Sequence, residues 1–451
     1  MAIQEARVEV DVAVIGGGIA GLSAALAAAG RDASVSLFEK TPVVGGNARV
    51  SAGMFLGSND FDGLRAYVPD GDPELQKAFC DDYDTALDWL QAQGLPIEPV
   101  FDFGDFRRIR PMGSGVPGAR HEFMEAMAKL ARSRGIRIAI DRTVRSIARE
   151  GGRLLFGTGD GRPVFARSVV LATGGFAAGR EMLERFMGPA SREFFIRSFP
   201  GAKGDGLRIA ESLGAATAGN MQAFYGHTLP DCPLEPEEWQ PMTPYFARLG
   251  MLVNRDGRRF VDESASLLEE LNAQAAIRQP GGRFWLIFDE RIRRGEGLDE
   301  GTTSTLPKFD WMARARTLGA PILEAASLDA LCAALAAEGV DAAALGAELK
   351  VYNAAAAAGE GARLAPARLQ NALVLDHAPF YALRCVAGIT ATCGGIAVDA
   401  QCRVLNRARK PIKGLFAAGV DAGGVYGKTY GGFLAWSLVS GLRAGRSAAG
   451  A

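Results

Sequence analysis

Two hydrophobic periods alternate along the chain, and the switches between them fall at glycines. Val10-Asp11-Val12-Ala13-Val14-Ile15 is an apolar, β-branched run of strand character. It stops at Gly16-Gly17-Gly18-Ile19-Ala20-Gly21 and gives way to the helix formers Leu22-Ser23-Ala24-Ala25-Leu26-Ala27. A second apolar run, Val35–Phe38, ends in Glu39-Lys40. Leu75, Phe79, Tyr83, Ala86, Leu87 and Leu90 keep helical spacing and predict an amphipathic helix over 73–93. Another helix is predicted over 122–134, closed by Gly135, and then a strand over 136–140. Segments 144–148 and 153–156 read as a hairpin. Ser168-Val169-Val170-Leu171-Ala172-Thr173-Gly174-Gly175 repeats the opening design of a buried strand that ends in a glycine turn.

Between about 220 and 365 the pattern changes. Prolines cluster at 230, 233, 236, 241 and 244, and an alanine-rich stretch runs from Leu328 to Ala358. Leu331, Leu335, Val340, Leu345, Leu349 and Tyr352 recur within it at the spacing of packed helices. From Ala378 the alternation of strands and glycines returns, through Gly414-Leu415-Phe416-Ala417-Ala418-Gly419 to a final helix over 432–444. At 451 residues the chain is too long for one ordinary core. The expected architecture is therefore α/β. A Rossmann-like domain is built from both chain ends (1–219 and 366–451), and an α+β domain is inserted at 220–365.

The opening glycines carry the first chemistry. In G-x-G-x-x-G, Gly16 permits the tight turn, Gly18 lets backbone approach a pyrophosphate, and Gly21 lets the helix pack against the sheet. The helix start offers N–H groups and a partial positive charge to phosphate. Glu39 follows about 20 residues later, the spacing at which an acid meets ribose hydroxyls. Strand, glycines, helix, strand and acid in this order predict a dinucleotide site.

Composition narrows the remaining classes. Residues are 48% hydrophobic and 22% charged, and 50 Lys plus Arg nearly balance 51 Asp plus Glu, so nothing favours a nucleic-acid partner. Six cysteines (Cys80, Cys232, Cys332, Cys385, Cys393, Cys402) lack C-x-x-C spacing, which argues against a metal cluster and for a reducing cytoplasm. No secretory leader is expected before the first strand. The apolar stretch near Leu434–Val439 is too short to insert into a membrane. Three histidines, well separated, give no metal-ligand pattern.

The chain resembles the flavoprotein family of fumarate reductases, succinate dehydrogenases and 3-ketosteroid dehydrogenases over nearly its whole length. The matching stretches are Gly16–Gly21 with Glu39-Lys40, Gly45–Gly53, Leu171–Phe176, Gly204-Asp205-Gly206, Leu252–Glu263, Gly388–Asp399 and Gly419–Gly445. The resemblance implies FAD, and the implied contacts run along the chain. Gly16, Gly18, Ile19, Ala20 and Gly21 open the site, with Glu39 at the adenosine ribose and Lys40 beside it. Gly46, Asn47, Ala48, Ser51, Ala52 and Gly53 would wrap the phosphates and the flavin edge, and Val144 would meet the adenine. Ala172, Thr173, Gly174, Asp205 and Gly419 add backbone contacts, Asp421 stands near the ribityl chain, and Ser437 and Leu438 lie near the pyrimidine end. Ala48 occupies the position at which membrane-bound members attach FAD through a histidine, so non-covalent FAD is expected.

The same resemblance exposes three departures. Leu267 falls where the family carries a proton-donating arginine or a tyrosine. Ala391 replaces a substrate-binding histidine, and Tyr430 replaces an arginine that pairs with a substrate carboxylate. Tyr430, followed by Gly431-Gly432, matches instead the tyrosine with which ketosteroid dehydrogenases polarise a ketone. The competing reading is a core tyrosine. His227, in Met221-Gln222-Ala223-Phe224-Tyr225-Gly226-His227, is either a proton-transfer group or a structural histidine. The resemblance thus implies an FAD-dependent dehydrogenase or reductase for a small-molecule substrate. It would act on a carbon–carbon bond beside a carbonyl or similar group and exchange electrons with a further donor or acceptor. Oxidation of a C–N or C–O bond and a non-catalytic flavin-binding role stand as alternatives.

Overall fold

The computed structural model describes residues 8–103, 106–112, 118–159, 162–265, 269–295 and 310–451. They fall into two units: Met1–Phe186 with Ser198–Phe224 and Ala391–Ala451, and Met187–Arg197 with Tyr225–Thr390.

The first unit is built on a parallel sheet. Its strands lie in the order Pro411–Ala417, Pro163–Leu171, Val8–Ile15, Val35–Phe38, Arg137–Ala139. Arg403–Leu405 adds an antiparallel edge, and the hairpin Ala148–Glu150/Arg153–Gly157 joins Pro163–Leu171. Val12, Ala13, Val14, Val169, Val170 and Leu171 are fully buried, as strands covered on both faces require. Strand order reverses between Val8–Ile15 and Pro163–Leu171, with Ile15 opposite Leu171. Their carboxyl ends therefore make the crevice in which doubly wound sheets bind ligands.

Two helices share one face by close backbone approach. A Cβ on Gly441 would lie 2.5 Å from the Ala20 carbonyl oxygen, and one on Gly445 would lie 2.1 Å from that of Ala24. Only glycine lets the last helix, Phe433–Ala449, lie this near the first, Ile19–Ala29. The last helix runs beyond the expected 444 because Ala444 and Ala448 continue its buried stripe. A small antiparallel sheet, Met54–Gly57/Arg107–Pro111/Phe101–Phe103, completes this unit.

The second unit centres on the thirteen-residue strand Phe380–Thr392. Arg283–Asp289 pairs with it antiparallel and carries Met251–Val253 beyond. Phe195–Ile196, Phe224–Pro230 and Ile322–Ala325 also pair with it. These pairings draw residues 187–197 and 366–390 into the second unit, whereas the sequence pattern grouped them with the first. A strand's allegiance depends on its distant partner, not on its own composition. The alanine-rich stretch forms two helices, Leu328–Ala337 and Ala342–Ala357; the second begins where the Asp341 side chain accepts from Ala344 N–H. Among the described residues no helix is long and apolar enough to cross a membrane.

Candidate cofactor and active site

The glycine turn after Val8–Ile15 is fastened from three sides. Gly16 has φ +109°, and a Cβ there would lie 2.2 Å from the Ala172 carbonyl oxygen. A Cβ on Gly21 would lie 1.9 Å from the Gly16 carbonyl oxygen. Gly17 N–H donates to Glu39 Oε2 at 2.7 Å, while Oε1 accepts from Thr41 N and Oγ1. Glu39 thus ties the ends of both strands together. Ile19 and Ala20 form the first turn of a helix whose Ncap, Gly18, provides no side-chain cap. Its leading N–H groups remain available to an anion.

Gly45–Gly53 wraps across this turn. Gly45 N–H donates to Gly17 O at 2.8 Å, and Gly46–Val50 is one short 3₁₀ turn holding Asn47 and buried Ala48. Ser51 Oγ donates to Ala48 O at 2.8 Å and accepts from Gly53 N–H at 3.0 Å, leaving Ala52 as the tip of that turn. Asn47 Oδ1 accepts from Phe199 N–H at 2.5 Å. Val144 is buried in the segment leading to the hairpin.

A carboxylate organises the second glycine turn. Asp421 accepts from Thr173 N–H at 2.6 Å, Thr173 Oγ1 at 3.1 Å and Gly175 N–H at 2.9 Å. Burial raises its pKa, and the hydrogen bonds from Thr173 and Gly175 offset part of the rise. Thr173 Oγ1 in turn accepts from Gly206 N–H, fixing the helix that begins at Asp205. Asp205 also pairs with Lys40 at 2.5 Å. Gly419 is gripped by residues that sequence reasoning missed. Ser440 Oγ accepts its N–H at 2.9 Å, and Trp436 Nε1 donates to its carbonyl at 3.0 Å. Trp436 and Ser440 lie one turn apart on the last helix, a polar pair inside an apolar face that could have marked the clamp. Ser437 Oγ would be 3.1 Å from a Cβ on Gly419, and Leu438 is fully buried beside it in sequence.

The FAD binding domain family matches residues 11–432. The chain belongs to that family. It is 30% identical over 444 residues to the fumarate reductase (cytochrome) of Shewanella frigidimarina, covering 93% of this chain and 73% of that one. It is 26% identical over 449 residues to the urocanate reductase of Eggerthella lenta, covering 92% and 70%. The fold also matches the 3-ketosteroid-Δ4-(5α)-dehydrogenase of Rhodococcus jostii RHA1 with TM-score 0.74 at 24% identity, covering 99% of this chain and 98% of that one. The chain is accordingly an FAD-dependent oxidoreductase of a family that acts on carbon–carbon double bonds.

The cradle fits the cofactor. Gly18 has φ −78°, which any residue adopts, and a Cβ there would meet nothing nearer than the Gly45 carbonyl oxygen at 3.7 Å. Protein packing therefore gives no reason for glycine at 18, whereas close approach by a pyrophosphate does. A Cβ on Gly46 would meet nothing within 4 Å, and one on Gly174 only Ala202 Cβ at 4.0 Å. Gly46 (φ +51°) and Gly174 (φ +90°) are favoured as glycine by their backbone as well, so Gly18 at the start of the first helix carries the case for a phosphate site.

Tyr430 lies in the loop before the last helix, 8% exposed, with ring contacts to Tyr426 at 5.9 Å and Phe433 at 5.5 Å. The loop is anchored on both flanks. Lys428 N–H donates to Asp70 Oδ2 at 3.0 Å and Thr429 Oγ1 to Tyr67 O at 2.6 Å, while a Cβ on Gly432 would collide with Leu56 O.

His227 lies in the second unit, on Phe224–Pro230, within a buried polar cluster. Its Nε2 is 2.8 Å from Tyr225 Oη, and its ring meets Tyr245 at a centroid distance of 5.5 Å. The neighbouring Thr228 donates from Oγ1 to Glu269 Oε2 at 2.6 Å. Glu269 is fully buried at φ +61°, and burial pushes its carboxyl up to about 8 against the opposing pull of Thr228 and Arg248. Burial also raises Tyr245. Arg197 Nη1 donates to Thr390 Oγ1 at 3.0 Å beside Ala391 in sequence. The same unit buries Glu263 between Arg259 (2.6 Å) and Arg368 (2.7 Å). The Arg259–Glu263 ion pair follows from their spacing; Arg368, more than 100 residues away, carried no such signal. Leu267 lies outside the described residues.

Proposed function

We propose that this enzyme adds or removes hydrogen across a carbon–carbon bond next to a carbonyl or similar activating group. Bound in the cradle, FAD supplies the acceptor or donor of a hydride. Tyr430 donates its phenolic hydrogen bond to the carbonyl oxygen, with the N–H groups of Gly431-Gly432 beside it. Drawing charge onto that oxygen makes the neighbouring carbon acidic. For the proton transfer we propose His227, whose Nε2 meets the Tyr225 hydroxyl at 2.8 Å. The observation that carries the reading is a buried phenol at 430, in a loop held by Asp70, Tyr67 and Leu56.

Ala48 offers no nucleophile to a flavin, so we infer non-covalent FAD; acid precipitation of the purified protein should leave all yellow colour in the supernatant. Six scattered cysteines, five of them buried, support a cytoplasmic enzyme, which cell fractionation checks. Function itself is tested with dithionite-reduced holoenzyme mixed anaerobically with α,β-unsaturated ketones, acids and amides. Recovery of the oxidised flavin absorbance with a member of this set is expected. No recovery with any of them, and no bleaching of oxidised enzyme by the saturated counterparts, overturns the assignment.

A further inference from the structure

Arg107 opens the strand Arg107–Pro111 of the small antiparallel sheet in the first unit and is 8% exposed. Its guanidinium is caged by aromatic faces. The carbon Cζ lies 4.8 Å from the ring centroid of Tyr67 and 5.4 Å from those of Phe103 and Phe106. All five N–H bonds point from the edges of the guanidinium, and aromatic rings offer them only weak acceptors. Among the described residues those edges meet no acceptor, and both Nε and Nη1 are buried without one. Other buried arginines of this chain are bound: Arg110 to Glu98 O and Gln91, Arg259 to Glu263, and Arg368 to Glu263 and several carbonyls. A buried guanidinium without acceptors is costly, and cation–π contacts offset only part of that cost.

The cage adjoins the loop that carries Tyr430. Thr429 Oγ1 donates to the carbonyl of Tyr67, whose ring covers the guanidinium. Ser58 Oγ donates to Phe106 O at 2.6 Å, and the strand preceding it, Met54–Gly57, presents Leu56 O to Gly432. Arg107 and Tyr430 are thus held on one framework within a single unit. The guanidinium fork matches a carboxylate with two parallel N–H···O bonds. We propose that Arg107 binds a carboxylate of the substrate, so that the enzyme acts on molecules carrying an acid group as well as the carbonyl polarised by Tyr430. Arg107 then sets specificity: its charge-assisted hydrogen bonds select the ionised acid over neutral analogues. The proposal rests on the placement of Tyr430 at the substrate under the proposed function.

The test is binding, so it does not depend on turnover. Perturbation of the flavin spectrum of the oxidised holoenzyme gives Kd for 4-oxocyclohexanecarboxylate, 4-oxopentanoate and 4-oxopent-2-enoate, each against its primary amide. The wild type should bind at least one acid roughly tenfold to a hundredfold tighter than its amide. Arg107→Gln should abolish that preference while amide binding stays, and Arg107→Lys should restore part of it. No acid preference in the wild type, or an undiminished preference in Arg107→Gln, overturns the proposal. If neither variant retains flavin, a crystal of the wild type with its best acid decides. Carboxylate oxygens within hydrogen-bond reach of the Arg107 edges support the proposal, and a carboxylate bound elsewhere refutes it. An acid preference without flavin reoxidation by any compound would leave Arg107 as the anion site and refute the proposed reaction instead.

Discussion

Around Gly16, Gly46 and Gly174 the first unit presents backbone N–H groups at turns, and its carboxylates are spent on holding those turns: Glu39 on Gly17 and Thr41, Asp421 on Thr173 and Gly175. The second unit buries its charges against one another, Glu263 between two guanidiniums and Glu269 on Thr228 near Arg248. One region leaves space for a side chain at Gly18 and Gly46, and the other closes its buried charges against side-chain partners. The first is therefore a receptor whose shape depends on missing atoms, and the second a rigid body whose stability depends on paired ones. Substitutions should accordingly fail in different ways.

Gly18→Ala is the sharpest such test. The backbone at φ −78° accepts alanine and the fold should persist, but the new methyl occupies the pyrophosphate approach. Purified variant should be nearly colourless, with unchanged far-UV circular dichroism; a normal flavin-to-protein absorbance ratio would break the contrast. Glu263→Ala should do the reverse. It strands two buried arginines and costs about 3–5 kcal/mol of stability, read by denaturant unfolding. Tyr430→Phe should keep flavin content while kcat falls roughly 10²–10³-fold, the usual effect of losing one oxyanion donor. A variant with full kcat would return Tyr430 to a packing role.

The last expected effect is a pH dependence. Glu269 has a folded pKa of about 8, above its unfolded value. The folded state therefore holds a proton that the unfolded chain has released over the interval between them, so this group's contribution to stability falls as pH rises toward 8. Glu269→Gln mimics the protonated form and should flatten the stability profile between pH 5 and 8. A slope equal to that of the wild type would place the titration elsewhere.

These contrasts also explain what could be read from residues alone. The turn at Gly16–Gly21, the acid at Glu39 and the glycine turn after Leu171 are local demands of backbone geometry, so their spacing survives in the sequence. The hold of Asp421 on Thr173 spans 248 positions, and family likeness marked Asp421 only as an acid near the ribityl chain. Arg368 reaches Glu263 across 105 positions, and Trp436 reaches Gly419 across a loop; neither contact leaves a periodic trace. The boundaries at 187–197 and 366–390 shifted for the same reason, since Phe195–Ile196 owes its place to pairing with Gly388-Ile389. Phe103 and Phe106 stand beside Arg107 in the chain, but Tyr67, the nearest ring to its guanidinium, comes from a distant segment and leaves no periodic trace.

The close crossing of the first and last helices has a consequence for biosynthesis. Gly441 and Gly445 press on Ala20 and Ala24, and Pro411–Ala417 completes the sheet beside Pro163–Leu171. On the ribosome, the N-terminal glycine turn emerges some 400 residues before the helix that must cover it. A nascent chain can fold its opening strands early but cannot close the flavin pocket until Phe433–Ala449 has left the exit tunnel. Cofactor loading then waits on that helix, and a chain cut short before it would never turn yellow.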